Sequence, residues 1–85
     1  MSYTARVDVK LKDGIADPQG MTIERALPAL GYEGVAGVRV GKLIELEVDA
    51  TSLEDARDKV SEMCERLLAN PVIESYVVNI EAERV

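Results

Sequence analysis

The chain has 85 residues and carries 10 Lys and Arg against 16 Asp and Glu, a formal net charge of −6. This acidic balance opposes nonspecific binding to nucleic acid, which needs clustered cations, and three tyrosines are too few aromatics for a base-stacking platform. With no histidine and one cysteine, the chain lacks the side chains for an internal disulfide or a common zinc site. It shows neither a membrane-length apolar run nor a signal-peptide pattern, so we expect a cytoplasmic protein without membrane contact.

The length predicts one domain over residues 1–85. A domain of this size buries roughly 60–65 % of its unfolded surface, so its stability margin is small. Since disulfides and metals are not available to reinforce it, self-association is the remaining route, and we expect a homodimer or a higher homo-oligomer.

The first third of the chain predicts a strand followed by an imperfect helix. Apolar and polar residues alternate from Tyr3 to Lys12, as in a strand with one buried face. Asp17 and Pro18 then suit the N-cap and the first position of a helix. Gly31 suits its end, and Pro28 should kink its last turn.

Residues 35–49 alternate with period two, and we expect them to form the middle of the fold. The even positions are apolar: Val38, Val40, Ile44, Leu46 and Val48. Parity survives passage through Gly41 and Lys42. This favours a hairpin with a three-residue loop, although one long strand bent at Gly41 is the open alternative. Both arrangements put Arg39 and Lys42 on the solvent side or in the turn.

A second helix and a last strand complete the chain. Ser52 with Asp55 resembles a capping box, and Thr51 with Glu54 is equally placed. The helix should bury one apolar stripe and stop before Pro71. The last strand, from about Ile73 to Ile80, is apolar on both sides, which suggests a contact with a partner. The predicted apolar stripe comprises Leu53, Ala56, Val60, Met63, Cys64, Leu67 and Leu68.

The predicted order is therefore β-α-β-β-α-β. This order is typical of an α+β, two-layer, ferredoxin-like fold, an antiparallel sheet with two helices on one face. We expect four strands. The predicted core is Val7, Val9, Val38, Val40, Ile44, Leu46, Val60, Met63 and Leu67.

No group of residues predicts catalysis. The glycine-rich segment before Lys42 lacks the spacing and the following helix of a phosphate-binding loop. Cys64 lies on the apolar helix stripe with no histidine to activate it. Glu45 and Glu47 share a strand face, where carboxylates are usually only solvated. A metallochaperone is excluded because the cysteine pair is absent.

Three segments together resemble the PurS family, the small subunits of phosphoribosylformylglycinamidine synthase. They are Asp17-Pro18-Gln19-Gly20 after the first strand, residues 38–42 with the sequence VRVGK, and residues 63–76 with the sequence MCERLLANPVIESY. The resemblance covers essentially the whole chain. Pro28 is the one feature that departs from it.

The resemblance implies a role in purine biosynthesis. The synthase is a carbon–nitrogen ligase that converts formylglycinamide ribonucleotide to its amidine with ATP and glutamine-derived ammonia. A large synthetase subunit would use ATP and magnesium, and a glutaminase subunit would use glutamine, while the PurS-like chain needs no cofactor and has no catalytic residue. It would dimerise, bridge the two other subunits and support ammonia transfer.

Exposed polar residues within the resembling segments are the candidates for partner binding. Arg39 is the first, because arginine can clamp a partner carboxylate with two hydrogen bonds. A ferredoxin-like regulatory module of the ACT type, which would bind a small ligand instead, is the alternative function. The remaining candidate site residues are Lys42, Asp17, Gln19 and Tyr76.

Overall fold

The computed structural model describes residues 1–82, which form one antiparallel sheet with helices. The α+β class and the antiparallel sheet are confirmed. A short 3₁₀ turn, Pro28–Leu30, follows the first helix, and a π turn, Cys64–Leu68, continues the second. The elements are β1 (Ser2–Leu11), α1 (Pro18–Ala26), β2 (Gly41–Asp49), α2 (Leu53–Met63) and β3 (Glu74–Ala82).

The first strand, and not the stretch 35–49, forms the middle of the sheet. The strand order is β2-β1-β3, and Val7 lies opposite Ile44 on one side and Val78 on the other. The alternating apolar residues of β1 are buried because they face α2, as the period-two pattern predicts. The buried core is Tyr3, Ala5, Val7, Val9, Val48, Ala50, Ala56, Val60, Cys64 and Ala69.

The described residues form three strands, so the predicted fourth strand is wrong. Residues 35–40 are irregular, and Lys10 pairs with Gly41, so β2 begins where a hairpin loop was expected. Neither the hairpin nor one long bent strand is present. The left-handed backbone at Gly37 (φ 71°) interrupts the extended conformation, and Val38 and Val40 are only half-buried.

The first helix begins as its sequence predicts but ends before Pro28, earlier than the predicted stop at Gly31. The Asp17 side chain accepts a hydrogen bond from the backbone of Gly20, and Pro18 takes the first position. Pro28 has no amide hydrogen to continue the helical ladder, so α1 ends at Ala26 and the chain tightens into the 3₁₀ turn. Gly31 closes that turn with φ 94°.

The second helix buries a narrower stripe than predicted. Ser52 is its cap, because the Ser52 hydroxyl accepts a hydrogen bond from the Asp55 amide at 3.0 Å. The two core residues predicted at the end of α2 and in its π turn, besides Val60, are wrong: Met63 is 36 % exposed and Leu67 is 83 % exposed. They are open because α1 does not pack beside α2 in the described part of the chain. The buried stripe consists of Ala56, Val60 and Cys64.

The molecule is long and thin, with principal dimensions of 51 × 30 × 14 Å. Its radius of gyration is 16.6 Å, whereas a compact domain of this length has about 12 Å. Within residues 1–82, α1 packs mainly on the turn that follows it and makes no extensive contact with the sheet or α2. The segment that carries α1 therefore extends the molecule beyond the end of the sheet.

Candidate partner-binding site

Most of the predicted site residues lie at the end of the sheet where the chain leaves β1 and returns to β2. The connecting segment, residues 12–40, is called the arm below. It carries α1, and its last residues, 38–40, run back to Gly41 alongside the start of that helix. The geometry of this end depends on how the outgoing part of the arm, which carries α1, is joined to the returning residues 38–40.

Asp17 joins the two sides of the arm. Its carboxylate accepts hydrogen bonds from the amide of Val40 at 2.8 Å and the amide of Gly20 at 2.9 Å. These two bonds, that from Val40 first, lower the pKa of Asp17 below its usual value of 3.8. Only 8 % of Asp17 is exposed, so this predicted site residue is an internal anchor whose carboxylate is already occupied.

Two further contacts hold residues 38–40 against α1. The Val38 amide donates a hydrogen bond to the Glu24 carboxylate at 3.1 Å. Gly20 is buried, and a side chain there would collide with the carbonyl oxygen of Val38. The arm is therefore a folded unit that depends on glycine at this close approach.

A cavity of about 290 Å³ opens beside this anchor and is lined by Asp17, Gln19 and Lys42 among others. Lys42 lies opposite Val9 in the sheet, so its side chain is on the face that α2 covers. The sequence predicts Lys42 on the solvent side or in the turn, and this prediction is wrong. It stays exposed because α2 does not reach this end of β2. Glu74 and Lys10 also line the cavity, and nothing in the residue pattern of β1 or β3 had singled them out.

Arg39 lies outside this cavity. Its guanidinium donates to the Asp13 carboxylate at 2.8 Å and to the carbonyl oxygen of Leu11, so it fastens the arm to the end of β1. It lines a neighbouring depression of about 420 Å³ together with Lys10 and Lys12. Lys10 lines both openings, which places Arg39 and Lys42 on adjacent surfaces.

Tyr76 shares a row of the sheet with Lys42, because each of them lies opposite Val9. Its hydroxyl donates a 2.8 Å hydrogen bond to the carboxylate of Glu65, which raises the pKa of Tyr76. Tyr76 therefore braces β3 against the π turn and does not line the 290 Å³ cavity. No local spacing in the sequence indicates this pairing, because the two residues lie in different elements and are separated by 11 positions.

The cavity offers cations for binding. Glu74 accepts a hydrogen bond from the Asn70 amide at 2.7 Å, so its carboxylate, like that of Asp17, is engaged. The side-chain ammonium groups of Lys42 and Lys10 make no hydrogen bond or ion pair within residues 1–82. The arrangement can therefore attract a carboxylate or a carbonyl oxygen from a partner.

The thiol and the strand carboxylates outside this end of the sheet have structural roles. Cys64 is fully buried, and that burial raises the pKa of its thiol. Glu45 is exposed and forms a 3.3 Å ion pair with Arg6 on the solvent-exposed face of the sheet. Among residues 1–82, His, Cys, Asp and Glu form no cluster suited to a metal ion.

Within the same described range, no helix is both long and apolar enough to cross a membrane.

Comparison with known proteins identifies the family. Residues 4–82 match the family model PurS, described as phosphoribosylformylglycinamidine (FGAM) synthase. The PurS subunit of Methanocaldococcus jannaschii is 43 % identical over 79 residues, which cover 93 % of this chain and 95 % of that protein.

Solved structures agree with the sequence match. The crystal structure of M. jannaschii PurS superposes with a TM-score of 0.86 at 41 % identity, covering 96 % of this chain and 99 % of the other. A chain in the structure of PurLQS from Thermotoga maritima also superposes with a TM-score of 0.86, at 40 % identity, covering 95 % and 99 %. This chain therefore belongs to the PurS family and is a PurS subunit of phosphoribosylformylglycinamidine synthase, an enzyme of purine biosynthesis.

Proposed function

We propose that this chain has no catalytic role of its own and acts as the subunit that bridges the synthetase and glutaminase chains of the synthase. In this role it self-associates, supports the transfer of ammonia between its partners and works in the cytoplasm as a single domain. ATP, magnesium and glutamine are used by the partners and not by this chain. The T. maritima relative in the structure of PurLQS supports assembly with partners.

The observation that carries the proposal is the exposed polar surface at one end of the sheet. This surface consists of the cavity beside Asp17 and the neighbouring Arg39. Gln19 and Lys42 are exposed there beside the buried anchor Asp17, and the ammonium group of Lys42 has no ion-pair partner within the described residues. When an exposed cation on a rigid support meets a partner carboxylate, only its side chain must be ordered and not the backbone that carries it. The folded arm provides that support through its hydrogen bonds at Val38 and Val40.

Substitution of Lys42 gives the sharpest test of this surface. Lys42→Ala should leave the fold intact, because the side chain of Lys42 is exposed and its ammonium group makes no hydrogen bond or ion pair within residues 1–82. The substitution should weaken the binding of the partner that contacts this end of the sheet. Truncating a charged residue buried in an interface commonly costs about 2 kcal/mol, or roughly thirtyfold in Kd. The measurement is a binding titration of the purified chain against the large subunit and against the glutaminase, with thermal melts alongside.

Arg39→Ala should also weaken binding of the partner that contacts this end of the sheet, and Arg6→Ala is the matched control. Arg6 is also an exposed arginine with one carboxylate partner, Glu45, but it lies on the solvent-exposed face of the sheet, away from the cavity. Unchanged affinity of well-folded Lys42→Ala and Arg39→Ala chains for both partners would remove this surface from the interface. Tight binding of an amino acid or nucleotide by the isolated chain would instead favour the regulatory-module alternative.

A further inference from the structure

The turn after β1 contains the one place in the chain where Asp or Asn directly precedes glycine, Asp13-Gly14. The Ile15 amide donates a 3.1 Å hydrogen bond to the carbonyl oxygen of Lys12, so Asp13 and Gly14 are the two central residues of a β-turn. The Asp13 side chain is fully exposed. Gly14 has a φ of 85°, and nothing lies within 4 Å of the position that a Cβ atom on it would occupy. The carboxyl group and the peptide that follows it are thus both open to solvent.

The Gly14 amide is available as a nucleophile towards the Asp13 carboxyl group. It makes no hydrogen bond within residues 1–82, because the β-turn engages only the carbonyl of Lys12 and the amide of Ile15. When an amide nitrogen attacks the side-chain carboxyl carbon of the preceding aspartate, a succinimide ring forms and water leaves. Glycine favours this step, since it has no side chain to obstruct the ring and its backbone reaches more conformations than that of any other residue.

The other aspartates lack this combination. Asp17 precedes Pro18, whose nitrogen carries no hydrogen. The rest are followed by residues with side chains and lie in β1, β2 or α2, where the regular backbone hinders closure of the ring. These residues are Asp8, Asp49, Asp55 and Asp58.

One contact restrains the Asp13 side chain. The Arg39 guanidinium donates to the Asp13 carboxylate at 2.8 Å. This ion pair opposes rotation of the carboxylate towards the Gly14 nitrogen. Since Asp13 is fully exposed, the pair is weak, so it slows ring closure without preventing it.

We propose that Asp13 is a modification site, which converts to isoaspartate through a succinimide formed with Gly14 and which the ion pair with Arg39 protects. Ring closure joins the Gly14 nitrogen to the side-chain carboxyl carbon and releases water. Hydrolysis returns that water and breaks either the new bond, which restores aspartate, or the original peptide bond, which leaves isoaspartate. The main chain of isoaspartate runs through the former side chain and is longer by a methylene group. Its carboxylate is displaced from Arg39, which then keeps only its bond to the carbonyl oxygen of Leu11.

Ageing of the purified full chain tests the site. Wild type and Asp13→Glu are incubated at neutral pH below the melting transition, and an isoaspartyl carboxyl methyltransferase with radiolabelled S-adenosylmethionine measures isoaspartate. Digestion with a proteinase that cuts before aspartate but not before isoaspartate, followed by mass spectrometry, locates it. Wild type should accumulate isoaspartate at position 13, whereas Asp13→Glu should lose the signal. Glutamate keeps the exposed carboxylate, and so the fold, but closes the larger ring much more slowly.

Arg39→Ala tests the protection, and Arg6→Ala is its control. Loss of an exposed ion pair should speed the formation of isoaspartate by up to about fivefold. Arg6 pairs with Glu45, so Arg6→Ala should age like wild type. A synthetic peptide of residues 10–16, KLKDGIA, is aged in parallel as the unfolded reference. A folded chain that stays unmodified while this peptide forms isoaspartate would overturn the proposal, and equal rates in wild type and Arg39→Ala would overturn the protection by Arg39.

Discussion

At the scale of single residues, Asp17 shows how one side chain can serve structure where a site was expected. Its position before Pro18 predicted a helix cap, which the bond from Gly20 confirms. The second bond, from Val40, crosses 23 residues and could not be read from local spacing. Asp17 is buried and its neighbour Gln19 is exposed, which separates the anchor from the surface available to a partner.

Asp17→Asn should lower the melting temperature by about 5 °C at neutral pH, since an amide offers one oxygen where the carboxylate offers two. The folded state lowers the pKa of Asp17, so its stabilising contribution is complete above the usual value of 3.8 and is lost as pH falls through the folded-state pKa. The difference in melting temperature between wild type and variant should therefore shrink below that pH.

The control for this prediction is Asp13→Asn. Asp13 pairs with Arg39 at 2.8 Å but is fully exposed, so its loss should change the melting temperature little. A wild type-to-Asp17→Asn difference that stays constant from neutral to strongly acidic pH would show that the carboxylate charge does not stabilise the arm.

At the scale of elements, periodicity predicted which residues form strands and helices better than it predicted where they pack. The parity of residues 44–48 is as predicted, with even positions turned inward. Parity is the same in a hairpin, a bent strand or an extended segment that leaves the sheet, so it could not decide the number of strands. Met63 and Leu67 were misassigned because a helix stripe indicates an apolar side but not whether this chain or another covers it.

The N-cap of α2 is an element boundary that the sequence left undecided between Ser52 and Thr51. Ser52→Ala should destabilise the chain by about 1 kcal/mol, because the Asp55 amide loses its acceptor. Thr51→Ala is the matched control, since its hydroxyl makes only an exposed 3.2 Å contact with the Asp55 carboxylate and its own amide bond to Asp55 is retained. Urea unfolding measures both, and equal losses would assign the cap to the two residues jointly.

At the scale of the whole molecule, the family could be recognised from sequence although the site could not. Three ordered segments resemble PurS, and the match over residues 4–82 confirms that identification. The proposed binding surface depends on which cationic side chains remain without a partner after folding. Arg39 and Lys42 are near neighbours in sequence, yet Arg39 is fastened to Asp13 and Leu11 while Lys42 is not. This difference between the two side chains follows from the folded structure and not from their positions in the sequence.

Self-association predicts how the stability of the whole molecule depends on concentration. If the dimer is the folded form, dissociation and unfolding are linked, and a tenfold rise in protein concentration should stabilise the folded dimer by about 1.4 kcal/mol. The melting temperature of wild type should then rise steadily with concentration. A melting temperature that stays constant over a hundredfold range of concentration, in a sample that sedimentation shows to be dimeric, would show that the two copies do not stabilise each other's folded core.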